Sequence, residues 1–124
     1  NKIKNILGKI PYESISFLKS KDLKIGDIRI ASNKDAIIRL VAHYLVNEKN
    51  QKLLPLNDVC RFHLGNGAII DDIVVNANIS DVGFNRSFGV MVNYLYELKN
   101  IEKNHEDYIN NKRVIISDKL KKFI

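Results

Sequence analysis

The sequence predicts a mixed α/β (α+β) fold, helix-rich with a few strands. Three observations lead there. The segment from Lys34 to Asn47 carries apolar residues at helical spacing, 68–75 and 114–116 are β-branched runs, and Pro11, Pro55, Gly65 and Gly67 punctuate the chain between them. At 124 residues the chain is long enough for a modest core and is one domain or part of one.

Taken in order, residues up to Ile10 are expected to be helical, with Pro11 ending the run because its ring disfavours helix at the preceding residue. A second short helix is expected over Tyr12–Lys21. Asp22–Ile30, with its weak alternation around Gly26, reads as extended chain or loop. The strongest early helix is Lys34–Asn47, where Ser32 or Asn33 can cap and Asp35 suits the positive first turn. Its residues Ile37, Val41, Tyr44 and Leu45 share one face. Glu48–Lys52 is a polar turn. Asn57 or Asp58 can cap a short helix through Leu64, with Gly65 suited to the left-handed residue after it.

Gly67–Ala77 reads as a strand, with Asp71-Asp72 marking an exposed edge or a bulge. A helix is expected over Ser87–Leu98, on the spacing of Phe88, Met91, Val92 and Leu95, with Tyr96 extending its apolar stripe. A polar helix over Asn100–Asn111, a short strand at Val114-Ile115-Ile116 and a last turn capped by Ser117 complete the chain. So few strands predict a sheet with an exposed edge.

Composition narrows the function classes. Hydrophobic content of 45% and charged content of 27% are those of an ordinary globular protein. No apolar run approaches the roughly 20 residues that span a bilayer, so no membrane role is expected. The N-terminal residues lack a signal-peptide layout and the final Lys-Lys-Phe-Ile is not a peroxisomal tail. Cys60 is the single cysteine, which excludes an internal disulfide and suits a reducing compartment. A cytoplasmic location is the expectation. The first residue is Asn1 rather than Met, which suggests an upstream part.

The net charge of +6 raises nucleic acid as a partner. Against it, Ile, Lys and Asn supply 18, 15 and 15 residues, a compositional drift, and every lysine lies outside residues 53–98 in dispersed positions. No nucleic acid partner is expected. His43, His63 and His105 lack ligand spacing, so no metal is expected either.

Two ordered blocks carry more specific information. Asn57-Asp58-Val59-Cys60-Arg61-Phe62-His63-Leu64-Gly65-Asn66-Gly67-Ala68 resembles the Asn/Asp-Pro-Val-Ala-x-Phe-His-Leu-x-Asn-Gly-Ala block of the malonyl-CoA decarboxylase family. Ser87-x-Gly89-x-Met91-Val92-Asn93-Tyr94-Leu95-Tyr96-x-Leu98 resembles that family's next helix, and Glu102-x-Asn104-His105-Glu106-x-Tyr108 is similar to a bacterial tail segment. The helix Ile38-Arg39-Leu40 through Glu48-Lys49 fits in front of them. The match is strongest over 31–124, roughly three quarters of the chain. There are departures: the family has Pro at Asp58 or Val59, and tends to carry Trp and Asp where this chain has Val75 and Asn78.

The resemblance implies that residues 1–124 are a C-terminal fragment of that family's catalytic domain, with an acetyltransferase-like (GNAT-like) fold. It implies decarboxylation of malonyl-CoA to acetyl-CoA and CO2, without a cofactor. The family's catalytic serine lies in a Thr-Leu-Ser-Pro-like segment that does not occur in this chain. The implied partners are therefore malonyl-CoA and an upstream part of the same enzyme, and a homo-oligomer is compatible with the reading. The alternative is a degenerate remnant that binds acyl-CoA or a partner without catalysis.

Loss of CO2 from a malonyl thioester leaves an enolate, which needs hydrogen-bond donors on its oxygen and a proton on its carbon. Histidine suits proton delivery near neutral pH. The resemblance makes His63 the proton donor and Tyr96 its companion. Without the matched blocks, His63 is a structural histidine or helix cap and Tyr96 a core residue. Asn66 and Gly67 are candidate substrate contacts through exposed backbone amides, or simply a turn. Arg86, ahead of Ser87-Phe88-Gly89, is a candidate phosphate contact or a solvated surface residue. Ser14, Ser16 and Ser20 lack the context of a nucleophile, and Cys60 reads as a small buried filler.

Overall fold

The computed structural model describes residues 2–21, 23–24, 27–77, 80 and 88–124. The fold is mixed α/β. Helices α1 (Lys2–Leu7), α2 (Ile28–Ser32), α3 (Lys34–Asn47) and α4 (Asp58–Gly65) precede strand β1 (Ile69–Val74); strand β2 (Met91–Leu95) and helix α5 (Ile101–Asn111) follow. β1 and β2 form a two-stranded sheet. Two compact units are distinguished, one holding 1–41, 73–91 and Phe123, the other 42–72, 92–122 and Ile124.

In the first unit, Leu7, Ile15 and Ala36 form one buried cluster, with Ile3, Ile10, Tyr12, Leu18 and Leu40 packed against it. Phe17, Ile30 and Ile37 form another, flanked by Leu23, Val41, Val75 and Val90. The helix expected over Tyr12–Lys21 is instead two 3-10 turns, Tyr12–Ser14 and Ser16–Lys19. Ser14 and Ser16 donate their hydroxyls to the carbonyls of Pro11 (2.7 Å) and Glu13 (3.2 Å), contacts that compete with a regular helix.

Residues 28–30, expected to be extended or loop, open α2. The reason is Asp27, whose carboxylate accepts the Arg29 backbone N–H at 2.9 Å and caps the helix. The same carboxylate accepts the Arg29 guanidinium at 3.0 and 2.8 Å, which holds its pKa down at about 2. Asp22, Ile25 and Gly26 lie outside the described residues. α3 has the expected bounds. Asn33 does not cap it with its side chain; the amide donates to the Arg29 carbonyl at 2.8 Å and so closes α2. Ile37 and Leu45 are buried with Ala36 and Ala42, whereas Tyr44 is 39% exposed.

The larger correction is the helix expected over Ser87–Leu98. Phe88 (φ 55°) and Gly89 (φ 79°) are consecutive left-handed residues, which no α-helix passes through, and the chain then runs as β2. Val92 and Tyr94 are half-buried while Met91, Asn93 and Leu95 are exposed, the two-residue period of a strand. Ser87, Arg86 and Asn78 lie outside the described residues.

Asp71 and Asp72 sit inside β1 rather than at a bulge, and Lys119 Nζ lies 3.3 and 4.0 Å from their carboxylates. The expected strand 114–116 is reduced to a single parallel bridge between Ile70 and Ile116. Ser117 stands at the start of the final 3-10 helix, Asp118–Phe123, but donates its hydroxyl to the Asp71 carbonyl at 2.5 Å instead of capping.

The left-handed residue after α4 is Gly67 (φ 90°), not Gly65. A Cβ on Gly67 would lie 2.5 Å from the Ile101 carbonyl oxygen, so glycine is needed for both the φ and the approach of α5. Gly67→Ala should therefore cost about 2–3 kcal/mol or more in urea unfolding. Gly8→Ala, at φ 61° with nothing within 4 Å, should cost only about 1 kcal/mol. Equal losses would show that the Ile101 contact carries no weight.

Candidate functional site

α4 is fixed at its start. Asn57 accepts the Cys60 backbone N–H at 2.9 Å, and Arg61 donates to the carbonyls of Pro55 (2.9 Å) and Leu56 (2.7 Å). Cys60 and Leu64 point into the core, which leaves His63 half-buried and Phe62 65% exposed. The end of the helix is closed around His63, whose carbonyl accepts the N–H groups of Asn66 and Ala68, both at 3.1 Å. Gly67 N–H goes to the Leu64 carbonyl at 3.0 Å, and the Asn66 side-chain amide donates to the Phe62 carbonyl at 2.9 Å. The three backbone amides at 66–68 are thus used within the turn.

α5 braces the same corner. Asn104, 8% exposed, donates its amide to the Gly67 carbonyl at 3.2 Å. His105 Nδ1 lies 2.6 Å from the Gly65 carbonyl. A carbonyl only accepts, so this nitrogen carries a proton.

Against this braced helix end, β2 and the residue after it present two tyrosines, Tyr94 and Tyr96, two positions apart. His63 Nδ1 is 2.6 Å from the Tyr96 hydroxyl, so the structure brings together the two residues singled out in the sequence. Tyr96 does so from just beyond a strand rather than from a helix. Tyr94, not singled out, stacks on the imidazole with centroids 4.3 Å apart and planes at 21°. Phe62 meets the ring edge-on at 5.3 Å. The signal for Tyr94 was available: two tyrosines separated by one residue fall on one side of a strand. Asn66 is exposed in the turn after α4, and Arg86 is outside the described residues.

Beneath the pair lie buried polar groups. The Tyr94 hydroxyl lies close to the Cys60 thiol; burial pushes the thiol up to about 11 and raises the phenol. Tyr108 is 4% exposed, and burial also raises its pKa. Among the described residues no group of three His, Cys, Asp or Glu side chains is placed to hold a metal, and no helix is long and apolar enough to cross a membrane.

The Cys60 shift has a signed consequence. Below the ordinary thiol value of 9.0 the group is protonated in both folded and unfolded chains. Between 9.0 and about 11 only the unfolded chain loses the proton, so this group's contribution to stability falls as pH rises. Urea midpoints measured from pH 8 to 10.5 should decline more steeply for the parent than for Cys60→Ala. Parallel declines would refute a buried, proton-retaining thiol.

Comparison with known proteins agrees with the two blocks. The model of the malonyl-CoA decarboxylase C-terminal domain matches residues 2–124. Mitochondrial malonyl-CoA decarboxylase of Mus musculus is 33% identical over 119 residues, covering 95% of this chain and 24% of that protein. The Rattus norvegicus enzyme is 38% identical over 84 residues, 68% of this chain and 17% of that protein. Among solved structures, malonyl-CoA decarboxylase from Rhodopseudomonas palustris superimposes with a TM-score of 0.81 at 32% identity, over 90% of this chain and 26% of that one. The Cupriavidus metallidurans enzyme gives 0.76 at 27% identity, over 99% of this chain and 33% of that one.

The chain thus spans about a quarter or less of the length of these curated relatives. The cytoplasmic expectation is corrected by the same relatives, which are named as mitochondrial enzymes; absence of a recognisable leader in these residues was no guide to compartment. With a family model covering nearly every residue, the chain belongs to the malonyl-CoA decarboxylase family, within its C-terminal domain.

Proposed function

We propose that this chain supplies the proton-delivering part of a malonyl-CoA decarboxylase, within an acetyltransferase-like catalytic domain completed by further chain. The observation that carries the reading is the 2.6 Å contact between His63 Nδ1 and the Tyr96 hydroxyl, formed at the helix end where the family's two motif blocks meet. Exposed apolar side chains on the same helix, Val59 at 54% and Phe62 at 65%, suit a surface that further protein covers.

In this reading the bond between the malonyl carboxylate carbon and the α-carbon breaks, CO2 leaves, and its electron pair becomes the thioester enolate. Tyr96 accepts from His63 Nδ1–H, so that the transferable proton of the imidazolium sits on Nε2. Nε2 then protonates the α-carbon and gives the acetyl thioester. The Tyr96 O–H is left to donate to the malonyl carboxylate or the enolate. Asn66 and Arg86 are substrate contacts in the proposal, at the acyl group and a CoA phosphate respectively. Gly67 acts through conformation, because its amide is held by the Leu64 carbonyl. Serine and most CoA contacts come from the upstream part of the enzyme.

In the full-length protein, His63→Ala should lower turnover roughly a hundredfold or more, the range of a lost general acid, with substrate binding within a few-fold. Tyr96→Phe should cost less, since it removes one hydroxyl and not the proton source. Steady-state decarboxylation of the folded variants decides it: near-parental turnover of His63→Ala makes the histidine structural. Acyl-CoA binding without any turnover in the parent would favour the binding-remnant reading instead.

Residues 1–124 by themselves should release CO2 several orders of magnitude more slowly than the full-length protein, because members of a cooperating catalytic set fail together. Comparable rates would place every necessary group inside this chain and remove the upstream serine from the mechanism.

A further inference from the structure

Tyr96 fixes a single atom of the His63 ring. One hydrogen bond to Nδ1 sets a distance but leaves the imidazole able to swing about that contact. Tyr94 removes this freedom: its ring lies nearly flat on the imidazole, at 4.3 Å and 21°. The far end of Tyr94 lies close to the thiol of Cys60, a side chain with no exposed surface. Cys60 stands three residues before His63 on α4, so the helix that carries the imidazole also borders the ring that covers it.

We propose that Tyr94 is a positioning residue, which fixes the plane of the His63 imidazole so that Nε2 points at the substrate α-carbon. The inference rests on the reading of His63 as proton donor. Proton transfer to carbon depends steeply on aim, and a misplacement of about 1 Å can cost roughly a hundredfold in rate. Binding depends on it far less. The expected signature is therefore a loss in kcat with little change in KM.

The test compares Tyr94→Leu, Tyr94→Phe and His63→Ala in the full-length protein, with malonyl-CoA as substrate. NMR of the histidine-labelled parent and Tyr94→Leu proteins is recorded alongside. Tyr94→Leu should lower kcat about tenfold to a hundredfold with KM within about twofold. Tyr94→Phe keeps the ring and should recover most of that loss. In the parent, ring current from Tyr94 should move the carbon-bound imidazole protons of His63 upfield of those of His43 and His105. Tyr94→Leu should abolish that displacement for His63 alone.

A folded Tyr94→Leu protein with parental kcat overturns the inference. So does a parental spectrum in which His63 shows no upfield displacement, a measurement that needs no variant and survives a substitution that fails to fold. If His63→Ala retains turnover, the functional reading fails while the ring-current signal stands. If His63→Ala abolishes turnover and Tyr94→Leu does not lower kcat, only the positioning role fails.

Discussion

The close approach of Gly67 to Ile101 is the constraint on which the site depends. A chain leaving an α-helix must satisfy its last carbonyls and change direction, and here both are done within residues 65–68. Asn66 and Ala68 return their N–H groups to the His63 carbonyl, Gly67 takes a φ of 90°, and β1 starts at Ile69. Only a residue without Cβ lets the Ile101 backbone come so near. That nearness brings Asn104 to the Gly67 carbonyl and His105 to the Gly65 carbonyl. The backbone of His63 is thereby gripped by its own helix and by α5. A side chain can be aimed accurately only from a backbone that does not move.

How much of this was legible in the sequence depended on whether local signals competed. α3 was legible to the residue, because fourteen residues with a consistent apolar face and a polar turn after them admit one period. α4 was legible from Asn57, whose side chain does cap it. β2 was not, because Phe88, Met91, Val92 and Leu95 fit a helical stripe while Val90, Val92, Tyr94 and Tyr96 fit a strand. The β-branched and aromatic content favoured the strand, and the left-handed pair Phe88-Gly89 decides it. α2 was not legible because the weak alternation around Gly26 competes with the Asp27 cap as a local signal. The strand expected at 114–116 stops at one bridge to Ile70, after which Ser117 is drawn to the Asp71 carbonyl.

The candidate site was legible in a different sense. Family resemblance pointed to His63 and Tyr96, and the fold places them 2.6 Å apart even though the element under Tyr96 had been misassigned. Two residues can be joined correctly by a motif while the geometry joining them is wrong. The error had a cost: on a helix Tyr94 and Tyr96 diverge, since residues two apart do not share a face, and so Tyr94 could not be seen as part of the site. On a strand they point the same way.

At position 94 the stacking ring carries a hydroxyl into the region beneath the imidazole. A ring alone would stack on His63 equally well. The hydroxyl lies beside Cys60, in a region where polar groups are expensive to leave unmatched. Tyr108 shows that expense, because its buried hydroxyl has no hydrogen-bond partner among the described residues. His63, Tyr94, Tyr96, Cys60 and Tyr108 all belong to the same compact unit, 42–72 with 92–122. The support for the imidazole is therefore built from the packing of α4, β2 and α5 within that unit.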